Sequence, residues 1–301
     1  MRIAIQSQGA GWVIDQIKSD FQKLTRHKMV KLNENPDVCW CLNLFGFPSL
    51  LPQIPKGCLS VVHAHHVDMC SLNSYDFEAY SRAKVCVVPN KITEKVMQEK
   101  LSIPVCRLPY WVSTSCMQPS NEKVVKELKD ELDGSSIVIG SFQKDGNGIT
   151  GDTPKFSKNP DLFIDVVTKI AKKMPIKIIL AGYARNYVIK NLLNEKIDFV
   201  YKPRFKSVFA LYNVIDWYLV TSRYEGGPQA VLEAAYHKVN ILSTPVGLAP
   251  EILHAECLCE DSKEFVEKFD VIDRREENYK AIQNYLPEVV IPEWDDFFER
   301  L

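Results

Sequence analysis

The sequence predicts an α/β protein with parallel sheets. Short runs of apolar and β-branched residues alternate with helix-like patterns from one end of the chain to the other. The alternation starts afresh at residue 136, after a polar and charged stretch that follows residues 107–114 and ends at Gly134. A chain of 301 residues, 46% of them hydrophobic, is long enough for a large core. Two α/β units in tandem therefore account for the pattern best.

The first series contains strands and helices in regular alternation, each strand a short apolar run. Strands are predicted at 2–6, 37–43, 58–64 and 84–89, and helices at 11–24, 75–82 and 90–101. The junction between the two units is predicted at residues 107–114.

The second series opens with a strand at 136–142 that leads into a glycine-rich loop. A helix at 160–174 follows, with Asn159 as the predicted N-cap and Pro160 at the first helical position. The remaining strands are predicted at 176–181, 198–202, 216–221 and 240–244, and the remaining helices at 184–195, 206–213, 228–237, 261–269 and 273–284.

Composition narrows the classes of protein. The formal net charge of −1 gives no electrostatic footprint for nucleic acid. Nine cysteines are too few for a disulfide scaffold, and the C-x-C pairs Cys39/Cys41 and Cys257/Cys259 are predicted to be reduced core thiols. The first residues form an apolar strand and not a signal sequence, and no apolar run is long enough to span a bilayer. A cytoplasmic protein is predicted, with peripheral membrane contact left open.

The segment from Glu225 to Glu233 is the most informative part of the sequence. A buried strand precedes it, and a Gly-Gly-Pro elbow leads into the helix predicted at 228–237. Helical side chains lean toward the N-terminus, so Glu233 can approach the space in front of the elbow. Free N–H groups at a helix start favour a phosphate, while carboxylates accept hydrogen bonds from sugar hydroxyls. The segment therefore predicts a nucleotide-sugar site, although an ordinary structural role for both glutamates stays open.

The surroundings of this segment resemble the E-x7-E region of family 4 glycosyltransferases. Residues 222–228 correspond to the family's Ser-x-x-Glu-Gly-x-Pro-like stretch, and residues 241–251 resemble its following strand and turn. The resemblance implies a GT-B fold, in which two Rossmann-like α/β/α domains face a central cleft. It also implies metal-independent transfer, with retained anomeric configuration, from a nucleotide-diphosphate sugar to a glycan, lipid or other hydroxyl acceptor.

The resemblance also implies a domain organisation. Residues 1–112 would form a shortened acceptor-side domain, residues 113–285 the donor-binding domain, and residues 286–301 a last helix that crosses back to the first domain. The run 292–298, with Trp294, resembles that last helix.

Roles for the motif residues come from the same resemblance. Glu233 would hold the ribose hydroxyls, and Glu225 would position the transferred sugar with help from the adjacent backbone. The donor-side backbone and side chains of this segment are Gly226, Gly227, Pro228 and Gln229.

The loop at 143–151 contains a literal G-x-G-x-x-G pattern. That pattern indicates dinucleotide binding only where its last glycine opens a helix, and here Asp152-Thr153-Pro154 follows instead. A dehydrogenase is therefore not predicted. In the resemblance, Lys144 and Lys158 take the place of a basic pair that stabilises the leaving diphosphate, with Lys155 as the alternative to Lys158. Solvated loop lysines remain the plain alternative.

Three histidines in four residues, His63, His65 and His66, end the strand at 58–64. Their H-x-H spacing allows a zinc site, but the order of ligands does not fit the metallo-hydrolase pattern. In the resembling glycosyltransferases a histidine from the first domain faces the donor. His65 is the first choice for that role and His63 the second, while a structural histidine stays open for either.

Three weaker candidates complete the predicted donor site. Gly9 and Gly11 follow the first strand and would let the backbone approach a ligand. Arg204 follows the strand at 198–202, where family members contact the nucleotide base. No cofactor or metal is predicted beyond the donor itself. A non-catalytic nucleotide-sugar-binding protein and another GT-B enzyme, such as a sugar-nucleotide epimerase, are the alternative functions.

Overall fold

A computed structural model describes residues 1–7, 13–65, 67–68, 74–132, 134–227 and 229–301. The chain divides into two compact units. Unit 1 comprises Met1–Thr114, Tyr224–Gln229 and Asn284–Leu301, and unit 2 comprises Ser115–Arg223 and Ala230–Gln283.

The elements alternate along the chain as the sequence predicts. The strands are β1 (Arg2–Gln6), β2 (Lys28–Met29), β3 (Val38–Cys41), β4 (Leu59–His63), β5 (Val85–Val88), β6 (Val105–Arg107), β7 (Ile137–Phe142), β8 (Ile176–Ala181), β9 (Asp198–Lys202), β10 (Trp217–Val220) and β11 (Asn240–Ser243). The helices are α1 (Val13–Leu24), α2 (Phe47–Leu50), α3 (Phe77–Tyr80), α4 (Lys91–Lys100), α5 (Glu122–Glu131), α6 (Pro160–Ala171), α7 (Asn186–Asn194), α8 (Gln229–Tyr236), α9 (Ala249–Ile252), α10 (Ser262–Lys268), α11 (Arg275–Ala281) and α12 (Pro287–Glu299).

Unit 1 is built on a parallel sheet in the order β2-β1-β3-β4-β5-β6. Every residue of β3 and β5 is buried, as expected for inner strands covered on both faces. The side chain of Trp40 on β3 packs against Phe21 of α1 and against Trp294 and Phe298 of α12. The last helix is therefore part of the core of unit 1.

Unit 2 is built on a parallel sheet in the order β11-β10-β7-β8-β9. The chain winds outward from β7 through β8 to β9 and then crosses to β10 on the other side of β7. The strand order thus reverses between β7 and β10. In open α/β sheets, ligands bind outside the carboxyl ends of the strands at such a reversal. A binding site in this unit is therefore expected at the loops that follow β7 and β10.

Several elements differ from the sequence-based prediction. The helix predicted at 206–213 is a 3-10 helix, Val208–Asn213. Helix α5 was not predicted, because it buries only Leu128 and its sequence has the character of a solvated polar stretch. Asn121 begins it, accepting hydrogen bonds from the N–H groups of Lys123 and Val124. The short elements β2, β6, α2 and α9 were not predicted either, since two to four residues show no periodicity.

Asn159 is the N-cap residue of α6, as predicted, although it does not cap the helix through its side chain. Pro160 does begin α6, but Asn159 has a φ of 49° and makes no side-chain capping hydrogen bond. Its left-handed backbone instead ends the 3-10 helix Phe156–Lys158, where the Asn159 N–H bonds the Phe156 carbonyl. Asparagine tolerates this conformation better than most residues. Asn159 therefore turns the chain between two helices.

Within the described residues, no helix combines the length and the apolar character that crossing a membrane requires.

Candidate functional site

The loop after β7 returns to the carboxyl end of β10. It ends in the 3-10 helix Phe156–Lys158, which Arg223 holds in place. The Arg223 N–H donates to the Ser157 carbonyl at 2.8 Å, and its guanidinium donates to the Phe156 carbonyl at 2.8 Å and lies over the Phe156 ring. Lys158 is thereby brought to the point where the strand order of unit 2 reverses.

A buried ion pair anchors the beginning of the same loop. Arg185, which precedes α7, places its Nε 2.8 Å from the Oδ1 of Asp145, and both side chains are almost completely buried. The guanidinium also donates to the carbonyl oxygens of Ser141, Gln143 and Ala181 at 2.7, 3.1 and 3.1 Å and to the Ser141 hydroxyl at 2.9 Å. Burial raises the pKa of Asp145, and the Arg185 charge opposes that rise. Arg185 thus ties the ends of β7 and β8 to the loop.

The glycines of the G-x-G-x-x-G pattern serve packing in this loop. A Cβ on Gly146 would lie 2.4 Å from the Gly151 Cα, and a Cβ on Gly151 would lie 2.0 Å from the Ala184 carbonyl oxygen. Gly151 also has a φ of 77°, which favours glycine. A bridge from Gly146 to Pro154 closes the loop on itself. The absence of a helix at the last glycine agrees with the prediction that this is not a dinucleotide fingerprint.

The predicted basic residues occupy different parts of unit 2. The Lys144 ammonium lies over the Tyr183 ring, 5.1 Å from its centroid. Lys158 interacts electrostatically with Asp145, and the N–H of Lys155 donates to the Asp145 carbonyl at 2.7 Å. All three lysines are partly buried and lie on the β7 loop. Arg204 follows the edge strand β9 and is exposed, so it lies two strands away from β7.

Glu233 lies in the second turn of α8, the helix that follows β10. Its Oε2 accepts a hydrogen bond from the Tyr212 hydroxyl at 2.9 Å. Burial raises the pKa of Glu233 to about 8, and the Tyr212 hydrogen bond opposes this rise because it stabilises the ionised form. The ligand-free carboxyl group is therefore largely protonated at neutral pH.

Tyr212 is itself enclosed by rings. It packs edge-on against Phe142 at the end of β7, and the His237 ring stacks on it with centroids 5.5 Å apart. Tyr218 lies 5.8 Å away, and the Cys116 thiol interacts with both Tyr212 and Glu233. This enclosure covers the Oε2 side of the carboxyl group of Glu233, which is a partly buried residue.

We expect Glu233→Gln to remove a pH dependence of folding stability in the ligand-free protein. Because the folded-state pKa of about 8 exceeds the ordinary value of 4.5, the stability due to the protonated group is complete below about pH 4.5 and is lost as the pH rises through 8. Between pH 5 and pH 7 the free energy of unfolding of the wild-type protein should fall by about 2 kcal/mol relative to that of the variant. Urea unfolding at several pH values measures this, with exposed Glu195→Gln as the control. The same change of unfolding free energy with pH in Glu233→Gln and in wild type would contradict this prediction.

The other end of the motif belongs to unit 1. Gly226 packs against the backbone after β4, where a Cβ would lie 1.8 Å from the His65 carbonyl oxygen. The Asn90 side chain donates a hydrogen bond to the Gly226 carbonyl, and Gln229 Nε2 donates to the Trp111 carbonyl at 2.9 Å. These contacts group Tyr224–Gln229 with unit 1. The segment was predicted to lie in the second domain, in line with its place in the sequence. The sequence pattern carries no signal that Gly226 contacts the backbone after β4.

The histidine segment of unit 1 forms a stack of rings. His63 is fully buried between His65, Tyr110 and Trp40, with centroid distances of 4.4, 5.5 and 6.0 Å. Burial lowers the pKa of His63, and the neighbouring His65 adds to the effect. His65 is less buried and its Nε2 donates to the Leu42 carbonyl. Of the two predicted donor contacts, His65 is therefore the less buried side chain.

The described part of the chain contains no group of three or more His, Cys, Asp or Glu side chains placed to hold a metal ion. The candidate residues Gly9, Gly11, His66 and Pro228 lie outside the described residues.

Four further residues of this region were not predicted from the sequence: Asn90, Asp145, Arg185 and Tyr212. Asn90 carried a signal, since asparagine before a helix caps it, and its Oδ1 indeed accepts from the Thr93 N–H. Arg185 and Asp145 are 40 residues apart in sequence and gave no signal of pairing.

Comparison with known proteins identifies the fold. Residues 148–272 match the family model for group 1 glycosyl transferases, a range that contains Lys158, Glu225 and Glu233. No curated protein matches the chain in sequence.

Solved structures match over the whole chain. An Anabaena protein, HepE, solved in complex with UDP and glucose, has a TM-score of 0.77 at 11% identity, covering 100% of this chain and 99% of its own. A glycosyltransferase from Rickettsia africae has a TM-score of 0.77 at 12% identity, with 99% and 97% covered. A UDP-forming trehalose-phosphate synthase from Burkholderia vietnamiensis has a TM-score of 0.69 at 12% identity, with 95% and 78% covered. The chain therefore has a GT-B fold of two parallel-sheet α/β units.

Proposed function

We propose that the protein is a retaining glycosyltransferase that moves a hexose from a uridine diphosphate sugar to a hydroxyl group of an acceptor. The observation that carries the proposal is the position of Glu233. It lies on the helix after β10, in the segment that matches the group 1 glycosyl transferase model, beside the reversal of strand order in unit 2. The uridine diphosphate donor is proposed from HepE, which was solved with UDP-glucose.

In the proposed mechanism, Glu233 accepts hydrogen bonds from the ribose hydroxyls. Glu225 and the backbone of Gly226 and Gly227 position the hexose, with Pro228 and Gln229 completing that segment. The acceptor oxygen attacks the anomeric carbon from the face of the leaving group, and the bond to the diphosphate breaks. The departing phosphate oxygen takes the acceptor proton.

Positive charge on the β7 loop would stabilise the leaving diphosphate. Lys158 is the better placed of the candidates because its 3-10 helix is fixed to the end of β10. Lys144 and Lys155 lie on the same loop. Ammonium groups and helix N-termini can neutralise the diphosphate, so we propose that the reaction needs no metal. A cytoplasmic location also stays a prediction.

We expect UDP-glucose to raise the melting temperature of the wild-type protein more than GDP-, ADP- or dTDP-sugars do. Glu233→Gln should weaken UDP-glucose binding by about tenfold to a hundredfold, because a hydrogen bond to a charged group contributes roughly 1.5–3 kcal/mol. Calorimetry measures the affinity, with Glu195→Gln as the exposed control. Unchanged binding by the Glu233 variant would refute the site.

The product formed from the donor distinguishes the proposed transferase from the alternative functions. NMR of the sugar product should show the anomeric configuration of the donor, in the absence of added metal and with EDTA present. Inverted product would refute the retaining mechanism. Donor binding without transfer to any acceptor would indicate the non-catalytic alternative, and conversion of the donor sugar alone would indicate an epimerase.

A further inference from the structure

Tyr212 lies outside the Glu225–Glu233 motif, yet its hydrogen bond fixes one of the two carboxyl oxygens of Glu233. Tyr212 donates to Oε2, and none of the residues that the structure describes donates to Oε1. A ribose ring offers two neighbouring hydroxyls as donors, and an ionised carboxylate accepts through both oxygens, whereas a protonated one has less acceptor capacity. The protonation state of this carboxyl group therefore affects the binding of any ligand with a ribose ring.

The Tyr212 ring cannot move away from Glu233 without disturbing the core of unit 2. It is 2% exposed and is held by Phe142, Tyr218 and His237. The hydroxyl is thus presented to Glu233 by a rigid support, which is the arrangement that positions a binding group accurately.

The described groups around the pair provide no competing positive charge at neutral pH. Burial lowers the pKa of His237, so its ring is neutral. Burial raises the pKa of the Cys116 thiol, and burial together with Glu233 raises the pKa of Tyr212, so both are uncharged. Tyr218, on β10, directs its hydroxyl to the backbone of Phe142. Among the described residues, Glu233 has no ion-pair partner, and its carboxyl group accepts its hydrogen bond from the Tyr212 hydroxyl.

We propose that Tyr212 is a positioning residue for the donor: its hydroxyl orients the Glu233 carboxyl group and favours the ionised form. The donor binds this ionised form, so the Glu233 proton is released when the donor binds. The inference rests on the proposed function, since the ribose hydroxyls are the groups that Glu233 would accept. The proton leaves Glu233 for solvent, and the ribose hydroxyls keep theirs. Ionised Glu233 then accepts from Tyr212 through one oxygen and from the ribose through the other.

The test uses UDP-glucose, whose diphosphate diester does not titrate between pH 6 and pH 9, and the Tyr212→Phe variant, which keeps the ring. For wild type, affinity should rise by about tenfold per pH unit below about pH 8 and then become constant. In Tyr212→Phe the constant range should begin about one pH unit higher, because the hydrogen bond that favours ionisation is lost. Tyr187→Phe, which removes another tyrosine–carboxylate hydrogen bond of unit 2, should match wild type.

A second readout needs no ligand. Carbon NMR of glutamate-labelled protein, with the Glu233 signal identified by its loss in Glu233→Gln, gives the titration of the carboxyl group directly. Tyr212→Phe should raise its midpoint by about one pH unit. A uniform loss of affinity at every pH with an unchanged midpoint would show that Tyr212 serves packing alone and would overturn the inference. If UDP-glucose does not bind wild type, the proposed donor fails, and the NMR midpoint alone then decides whether Tyr212 controls Glu233.

Discussion

Gly226→Ala should disrupt the segment that carries Glu225 and lower turnover by at least about a hundredfold. The added Cβ would lie 1.8 Å from the His65 carbonyl oxygen and 2.5 Å from its carbon, both of them backbone atoms. Relief requires movement of residues 224–229 or of the chain after β4, and a displacement near 1 Å at a reacting group costs this much. Overpacking of this kind also destabilises the fold, here by roughly 3 kcal/mol.

The control for this substitution is Gly148→Ala. Gly148 has a φ of 70°, and no heavy atom lies within 4 Å of the position that an added Cβ would take. The cost of this substitution is therefore limited to about 1 kcal/mol of backbone strain. Steady-state kinetics and urea unfolding of both variants measure the two effects. A Gly226→Ala enzyme with wild-type turnover would show that the contact with His65 is not needed for the position of Glu225.

Arg185→Met should cost roughly 3–5 kcal/mol of folding stability, because it leaves the buried Asp145 carboxylate without its partner. Three carbonyl oxygens and the Ser141 hydroxyl lose a donor as well. The pKa of Asp145 is already raised by burial and should rise further in the variant. The loss of stability should therefore be smallest at low pH, where Asp145 is protonated, and should grow as the pH increases.

Urea unfolding of Arg185→Met between pH 4 and pH 8 tests this expectation. Arg275→Met is the matched control, since it removes an ion pair with Asp273 whose two side chains are about half exposed. Exposed pairs contribute at most about 1 kcal/mol, so this variant should stay close to wild type at every pH. A loss of equal size in both variants would mean that the buried pair does not hold the β7 loop.

The fold was largely predictable from the sequence, and the reasons are local. The strands at 176–181 and 198–202 were predicted with the bounds that the structure gives, because each is an apolar run between clear helix and turn signals. The GT-B fold followed from the two alternating series and the resemblance at Glu225 to Glu233, and the structural comparisons confirm it. Elements that bury little, such as α5, could not be recognised by hydrophobic periodicity.

The candidate site was predictable only in part. The residue types between Glu225 and Glu233 pointed to a sugar nucleotide, and both glutamates stay predictions for that role. Their surroundings depend on residues distant in sequence. Tyr212 meets Glu233 from 21 positions away, and Asn90 meets Gly226 from 136 positions away.

The sequence by itself determined the alternation of strands and helices, the glycine elbow and the two carboxylates, because each depends on short-range periodicity and backbone freedom. Only the tertiary structure decided that Gly226 packs against His65 in unit 1 while Glu233 packs against Tyr212 in unit 2. Close packing and burial join residues that the chain keeps far apart. They also set the pKa of Glu233, which no local pattern encodes.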